Sequence, residues 1–372
     1  MSGTATNPFR YAQPVGIDDL IDRDGETELL LATAREGNHA RLVAPRRYGK
    51  TSLLRRVLGE AEADGWTGVY VDFFGVLTLA DVADRVERAY VAALTGPTAR
   101  WFDGVRRTLR PTVSASAGGV RATAHLEPVQ VALAERLDLP VRLYEKTYRR
   151  TLVVFDEFQE VLAADAKADA VLRASLQHHG EAASYVFAGS HVGMMNALFA
   201  DRRRAFYAQA RPIPLPPLAA DDCAGFVADR FSATGRDVGR ALGPLLDATS
   251  GHPQRTILLA HAVWELTAPE EVADEATFAA ARDRVMDDLG DEFRTAWLAL
   301  PSGQRRVLAA VAAGDRPYGA SSVGGSRGGA VRSALDALAG RGDIVATPGG
   351  SPRYRLVDPL LAAWVNHARE GD

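Results

Sequence analysis

Residues Ala44 to Thr51 read A-P-R-R-Y-G-K-T, one glycine short of the phosphate-loop pattern G-x-x-x-x-G-K-[ST]. The flanks decide how the stretch is read. Ala40 to Ala44 (A-R-L-V-A) suits a short buried strand, and Ser52 to Leu58 (S-L-L-R-R-V-L) continues as a helix with Leu53, Leu54, Val57 and Leu58 on one face. Strand, loop and helix in that order make an anion cradle, in which backbone N–H groups and the positive helix end face a triphosphate. Lys50 is placed to reach the β- and γ-oxygens and Thr51 to offer a hydroxyl to Mg²⁺. Pro45, Arg46, Arg47, Tyr48, Gly49 and Ser52 complete the candidate nucleotide-binding loop. Of 43 basic residues only Lys50, Lys146 and Lys167 are lysine, so a lysine here marks a need for a compact ammonium that a planar guanidinium does not meet. Gly49 permits close backbone approach. Ala44 stands where the first glycine would, a mild departure if its φ stays negative.

Working outward, the chain alternates apolar strands with helical runs. Gly68 to Phe73, Thr151 to Phe155, Ser184 to Ala188 and Ala210 to Leu215 read as further strands. The continuous apolar runs are those of a parallel sheet covered on both faces, which predicts a doubly wound α/β P-loop core over residues 1–216. That core has an N-terminal lead over 1–36 and a β-hairpin inserted near 112–126, around Gly118-Gly119. Pro212 to Pro217 (P-I-P-L-P-P) takes the chain out of the sheet. Residues 217–290 are helical in pattern, broken at Gly251. Residues 291–372 spell a winged helix-turn-helix, with helices Gly303 to Ala313 and Gly328 to Ala339, strands Ile344 to Ala346 and Tyr354 to Leu356, and a last helix through Trp364.

The 372 residues carry 47% apolar and 24% charged side chains and a net charge of −4, the balance of a globular chain with no general pull toward nucleic acid or anionic membrane. The first residues, M-S-G-T-A-T-N-P-F-R, lack the regions of a signal peptide and no apolar run reaches membrane-spanning length, so a cytoplasmic location and no membrane partner are expected. Cys223 is the only cysteine, which excludes an intrachain disulfide and a cysteine zinc site and reads as an inert helix residue.

A phosphate loop needs a carboxylate for its metal. Phe155 to Phe158 (F-D-E-F) supplies one at a strand's carboxyl end, the edge at which open α/β sheets bind ligands. Asp156 would hold Mg²⁺ through water, and Glu157 would orient and deprotonate the attacking water. Gly189-Ser190-His191 ends the next strand, and Ser190 is either a polar residue facing the catalytic water or a helix cap. His178-His179 lacks a ligand pattern and is expected at the surface.

With loop, carboxylates, polar strand end, Gly251-His252-Pro253 and winged helix in order, the chain resembles the archaeal-type P-loop ATPase family, within the AAA+/STAND-related ATPases. The resemblance rests on P-R-R-Y-G-K-T-S-L, V-F-D-E-F-Q, A-G-S-H-V-G-M-M and G-H-P and covers nearly the whole length. It implies ATP with Mg²⁺ and hydrolysis to ADP. It makes Arg23, in I-D-R-D-G-E, a candidate near the adenine. It makes His252 a nucleotide sensor, with a helix cap as the other reading. Related chains carry G-R before the last sheet strand where this one has Ala208-Gln209, leaving Arg202, Arg203 and Arg204 as candidate arginine fingers in an oligomer. Arg327, Arg332, Arg353 and Arg355 are candidate duplex DNA contacts of the winged helix, which equally suits a protein partner. Three functions follow: a working ATPase moving lid and winged helix, a slow nucleotide switch or scaffold, and an ATP-dependent DNA-binding initiator or regulator.

Overall fold

The computed structural model describes residues 6–12, 16, 20–109, 128–315, 328–347 and 353–370; the hairpin expected at 112–126 and Arg327 lie outside them. Two compact units result. One comprises Asp24–Ala44 and Leu53–Leu215, the other Met1–Arg23, Pro45–Ser52 and Pro216–Asp372.

The first unit is the α/β layer. Its elements run α1 (Asp24–Arg35), β1 (Ala40–Val43), α2 (Lys50–Ala63, whose first turn clusters with the second unit), β2 (Thr67–Asp72), α3 (Leu79–Ala93), α4 (Gly96–Arg106), α5 (Pro128–Leu137), α6 (Leu139–Thr147), β3 (Thr151–Asp156), α7 (Val161–Ala164), α8 (Ala168–Leu176), β4 (Ala183–Gly189), α9 (Val192–Ala200) and β5 (Arg211–Ile213). The five strands pair in the order β2-β3-β4-β1-β5, every pair parallel. Parallel pairing brings all carboxyl ends to one edge, so Val43 is opposite Gly189 and Asp72 opposite Asp156.

Strands β3 and β4 are buried along their whole length, as their unbroken apolar sequences require. Side-chain alternation divides them between two faces. Val153, Phe155, Tyr185 and Phe187 join Val82 of α3, Leu133 of α5, Leu172 of α8 and Leu198 of α9 in one core. On the other side α1 packs against β1, β4 and β5. Phe155, Phe158, Phe187, Phe199 and Phe206 form an aromatic cluster, with Phe158 and Phe187 centroids 4.7 Å apart. Each such ring contributes about 1.5–3 kcal/mol through burial.

The last strand is shorter than the expected Ala210 to Leu215. Pro212 and Pro214 have no N–H to donate, and pairing with β1 stops at Ile213. Helix α3 begins in a capping box between Thr78 and Asp81. His179 corrects the expected surface pair. His178 is exposed, but α8 ends at Leu176 and the chain turns His179 inward, 4% exposed, with Nδ1 2.5 Å from the Tyr185 hydroxyl and Nε2 3.1 Å from Asp138.

The second unit is helical, with α10 (Ala220–Ala233), α11 (Leu242–Thr249), α12 (Pro253–Leu266) and α13 (Glu275–Leu298). Helix α13 is continuous through position 290. Beyond it come α14 (Ser302–Ala312), α15 (Gly328–Arg341), antiparallel β6 (Ile344–Ala346) and β7 (Tyr354–Leu356), and α16 (Pro359–Glu370). Val307, Leu308, Val331, Leu335, Leu338, Ile344 and Leu356 bury together, which is the arrangement of a winged helix. Cys223 is buried in α10, and burial pushes its thiol up to about 11, so it stays protonated and inert. Among the described residues no helix is long and apolar enough to cross a membrane.

Candidate functional site

The carboxyl edge of the sheet carries the first cluster. Asp156 ends β3 and is buried. Its Oδ2 accepts a hydrogen bond from the Tyr70 hydroxyl and its Oδ1 accepts one from the Glu157 amide at 2.9 Å. Glu157 then leaves strand geometry at φ 48°, ψ 43°. A left-handed conformation costs a non-glycine residue about 1–2 kcal/mol, and such outliers persist where surrounding bonds hold them. Three donors do so here. Glu157 Oε2 accepts from Ser190 Oγ at 2.8 Å, from the Ser190 amide at 3.3 Å and from Gln159 Nε2 at 2.6 Å. Ser190 directly follows β4 and is buried. Its hydroxyl therefore bonds Glu157, while the cap of α9 is His191, whose Nδ1 accepts from the Met194 amide. Sequence reasoning singled out Asp156, Glu157 and Ser190. It passed over Gln159, whose only signal was its place two residues after Glu157.

Beside these, Ala44 follows β1 and its amide donates to the Gly189 carbonyl at 3.3 Å. Ala44 is not among the residues with positive φ, so the methyl in place of a glycine fits without backbone strain. The left-handed positions of the loop are Arg47 (φ 66°) and Gly49 (φ 81°). Lys50, Thr51 and Ser52 form the first turn of α2, with Lys50 and Ser52 buried and Thr51 partly so. Pro45 is partly buried and Arg46 exposed.

Within the second unit the loop's outer side is well partnered. Arg47 Nη1 pairs with Glu292 Oε1 of α13 at 3.0 Å. Tyr48 is 3% exposed. Its ring meets His252 edge-on, centroids 5.1 Å apart, and its hydroxyl is 3.5 Å from Arg355 Nη2 of β7.

His252 follows Gly251, whose φ is 72° and where a Cβ would lie 2.2 Å from the Leu218 carbonyl oxygen, so only glycine fits. His252 Nδ1 accepts from the Arg255 amide at 3.3 Å and caps α12. That places the ring hydrogen on Nε2. Burial, the largest influence, lowers its pKa to about 4, with Asp358 acting the other way, so the ring is neutral near pH 7. Arg255 itself is buried and bonds both oxygens of Asp358, through Nε at 3.1 Å and through Nη2, while Asp358 Oδ1 also accepts from the Leu360 amide at the start of α16.

The remaining sequence candidates are scattered in role. Arg23 is buried, with φ 82°, and its Nη2 donates to the Pro216 carbonyl at 2.8 Å. Arg202 is exposed, Arg203 forms a two-point pair with Asp201, and Arg204 donates to the Ala166 carbonyl at 3.0 Å. Hydrogen bonding from Arg203 holds Asp201 down at about 2. Gln209, at the position where an arginine was looked for, accepts from Arg173 at 2.7 Å. Arg332 and Arg353 are exposed and Arg355 is partly buried. A hydroxyl such as that of Thr51 and a carboxylate such as that of Asp156 are hard oxygen donors of the kind Mg²⁺ takes together with nucleotide phosphates. Among the described residues no group of three or more His, Cys, Asp or Glu forms a metal cluster.

No family model matches the sequence and no curated protein matches it. Solved structures do. A Walker-type ATPase of Pyrococcus abyssi superposes with TM-score 0.68 at 19% identity, over 96% of this chain and 99% of that one. The ORC2 protein of Aeropyrum pernix, in complexes with ADPNP and ADP, gives TM-score 0.56 at 15% identity, over 97% and 98%; its ADP form gives 0.55 at 17%, over 97% of each chain. At these identities the likeness is one of fold: over 96–97% of its length this chain shares the architecture of these proteins.

Proposed function

We propose that the protein is a magnesium-dependent P-loop ATPase that binds ATP and hydrolyses it to ADP and phosphate, with nucleotide state coupled to the lid at 217–290 and the winged helix at 291–372. The observation that carries the reading is Glu157, a carboxylate held out of strand geometry at the carboxyl end of β3 by Ser190 and Gln159. Chain connectivity supports it, since β1 runs straight into Pro45 and is paired at its carboxyl end with Gly189. The names of the similar structures, a Walker-type ATPase and a protein complexed with ADPNP and ADP, point the same way.

In this reading Lys50 and the backbone N–H groups of residues 46–52 bind the phosphates, and the α2 dipole favours their charge. Thr51, and Asp156 through water, would hold Mg²⁺, which would supply charge neutralisation on the phosphate oxygens. Glu157 accepts the proton of the attacking water, and Ser190 orients that carboxylate. His252 offers its Nε2 hydrogen to a phosphate oxygen as a neutral donor. Tyr48 relays loop position to His252 and Arg355. Adenine over guanine rests on the family resemblance, since no guanine-reading N-K-x-D motif occurs.

Steady-state phosphate release tests the proposal. Glu157→Gln is expected to lower turnover by roughly 10²- to 10⁴-fold while ATP still binds, and Lys50→Ala to abolish detectable binding at the wild-type saturating concentration. Unchanged phosphate release in both variants would end the hydrolase reading.

A second reading is favoured by one observation, the exposure of Arg332 on α15 and Arg353 beside β7. It makes the protein an ATP-dependent binder of duplex DNA through phosphate contacts. Binding that weakens steeply with salt, and weakens again on replacing both arginines, supports it; a flat salt response removes it.

A further inference from the structure

Gln159 lies in the tight 3-10 turn Phe158–Glu160, which Glu157 opens and whose first ring, Phe158, is buried among Phe155, Phe187 and Phe206. The Glu160 amide closes the turn onto the Glu157 carbonyl at 2.9 Å. The aromatic core thus fixes the frame from which Gln159 reaches back. Its side chain is 2% exposed. Nε2 donates to Glu157 Oε2 at 2.6 Å and lies 3.4 Å from Glu160 Oε1. The opposite amide orientation would set an oxygen against a carboxylate, so chemistry fixes which end faces Glu157.

The other end of the amide is costly. Gln159 Oε1 is buried with no hydrogen-bond partner among the described residues, which destabilises a fold relative to an apolar side chain of the same shape. The neighbouring strand is bare where it passes: a Cβ at Gly189 would lie 2.3 Å from Gln159 Oε1, and also 2.6 Å from Met195 Cγ and 2.7 Å from its Sδ. A buried polar group that is unsatisfied on one side and short-bonded to a carboxylate on the other is placed for that carboxylate.

We infer that Gln159 is a positioning residue for the general base, fixing the Glu157 carboxylate against Ser190 through its amide N–H. The inference rests on the proposed role of Glu157. Its consequence is a trade of stability for function at one position. Methionine has nearly the same length and volume as glutamine but no donor and no orphan carbonyl.

The test compares wild type, Gln159→Met, Glu157→Ala and the double variant in ATP turnover, ADP affinity and chemical denaturation. Gln159→Met is expected to keep or raise the unfolding midpoint, to lower kcat at least 10-fold, and to leave KM and ADP affinity within about twofold. The acid limb of its kcat profile should move to higher pH, because a carboxylate that loses a donor binds its proton more tightly. In the Glu157→Ala background the Gln159 substitution should cost no further activity. An unchanged kcat and pH profile, or a kcat loss that tracks a fallen unfolding midpoint, overturns the assignment while wild-type turnover stands. If wild type shows no turnover, the hydrolase reading fails by itself. The Gln159–Glu157 link is then judged by the denaturation cycle, where additive effects refute it and coupling sustains it.

Discussion

Two corners of the molecule turn the backbone left-handed to deliver a polar side chain, and they do it in opposite ways. At Gly251, φ 72°, the residue has no side chain because the Leu218 carbonyl occupies the space a Cβ would need. At Glu157, φ 48°, the residue has a charged side chain, and its bonds to Ser190 and Gln159 accompany the strained backbone. The first corner is fixed by shape and the second by hydrogen bonds. Stability should therefore depend on the lid corner and chemistry on the strand corner.

The largest expected effect lies beside His252. Asp358→Ala leaves the buried Arg255 guanidinium without its carboxylate, and chemical denaturation should show a loss of about 3–5 kcal/mol. Gly251→Ala comes next, at about 3 kcal/mol, from left-handed strain together with a contact against backbone that cannot move aside. A smaller loss there would break the contrast by showing that the lid corner is plastic.

Acid should also find the lid corner. Burial holds His252 down at about 4 against an ordinary 6.5. Below 6.5 the unfolded chain takes up a proton that the folded chain refuses, so stability falls as pH drops from 6.5 to 4 and is regained above 6.5. The full contribution is about 3 kcal/mol. His39 of the α/β unit, lowered to about 4 by burial first and then by Arg173 and His179, adds to the same window. His252→Asn, which keeps a capping oxygen, should flatten the slope of unfolding free energy against pH by its own share only.

The smallest effect sharpens the strand corner. Glycine suits φ 48° and alanine does not, so Glu157→Gly should be more stable than Glu157→Ala by about 1 kcal/mol. Equal stabilities would mean that the chain relaxes to right-handed geometry once the carboxylate is gone.

The strands were legible because β3 and β4 are continuous apolar runs, and the winged helix because Ile344–Ala346 and Tyr354–Leu356 flank a turn sequence. Asp156, Glu157 and Ser190 were legible because strand ends in a parallel sheet are named by the strands themselves. What escaped were properties of tertiary contact. Gln159 looks like any polar residue after a strand until its amide is seen against Glu157. His179 differs from His178 only through the turn that follows α8. Arg355 reads as a DNA contact on charge alone, yet it is partly buried beside the Tyr48 hydroxyl.

Tyr48 bears on how such a chain could be recombined. Its ring belongs to the loop between β1 and α2, yet it is buried against His252 and reaches Arg355. The C-terminal half is consequently no interchangeable cassette. A graft of another C-terminal half onto residues 1–215 would strip the loop of its aromatic anchor unless position 48 were rewritten with it. Loop and C-terminal half are in that sense a single heritable piece, although more than 150 residues of chain separate them.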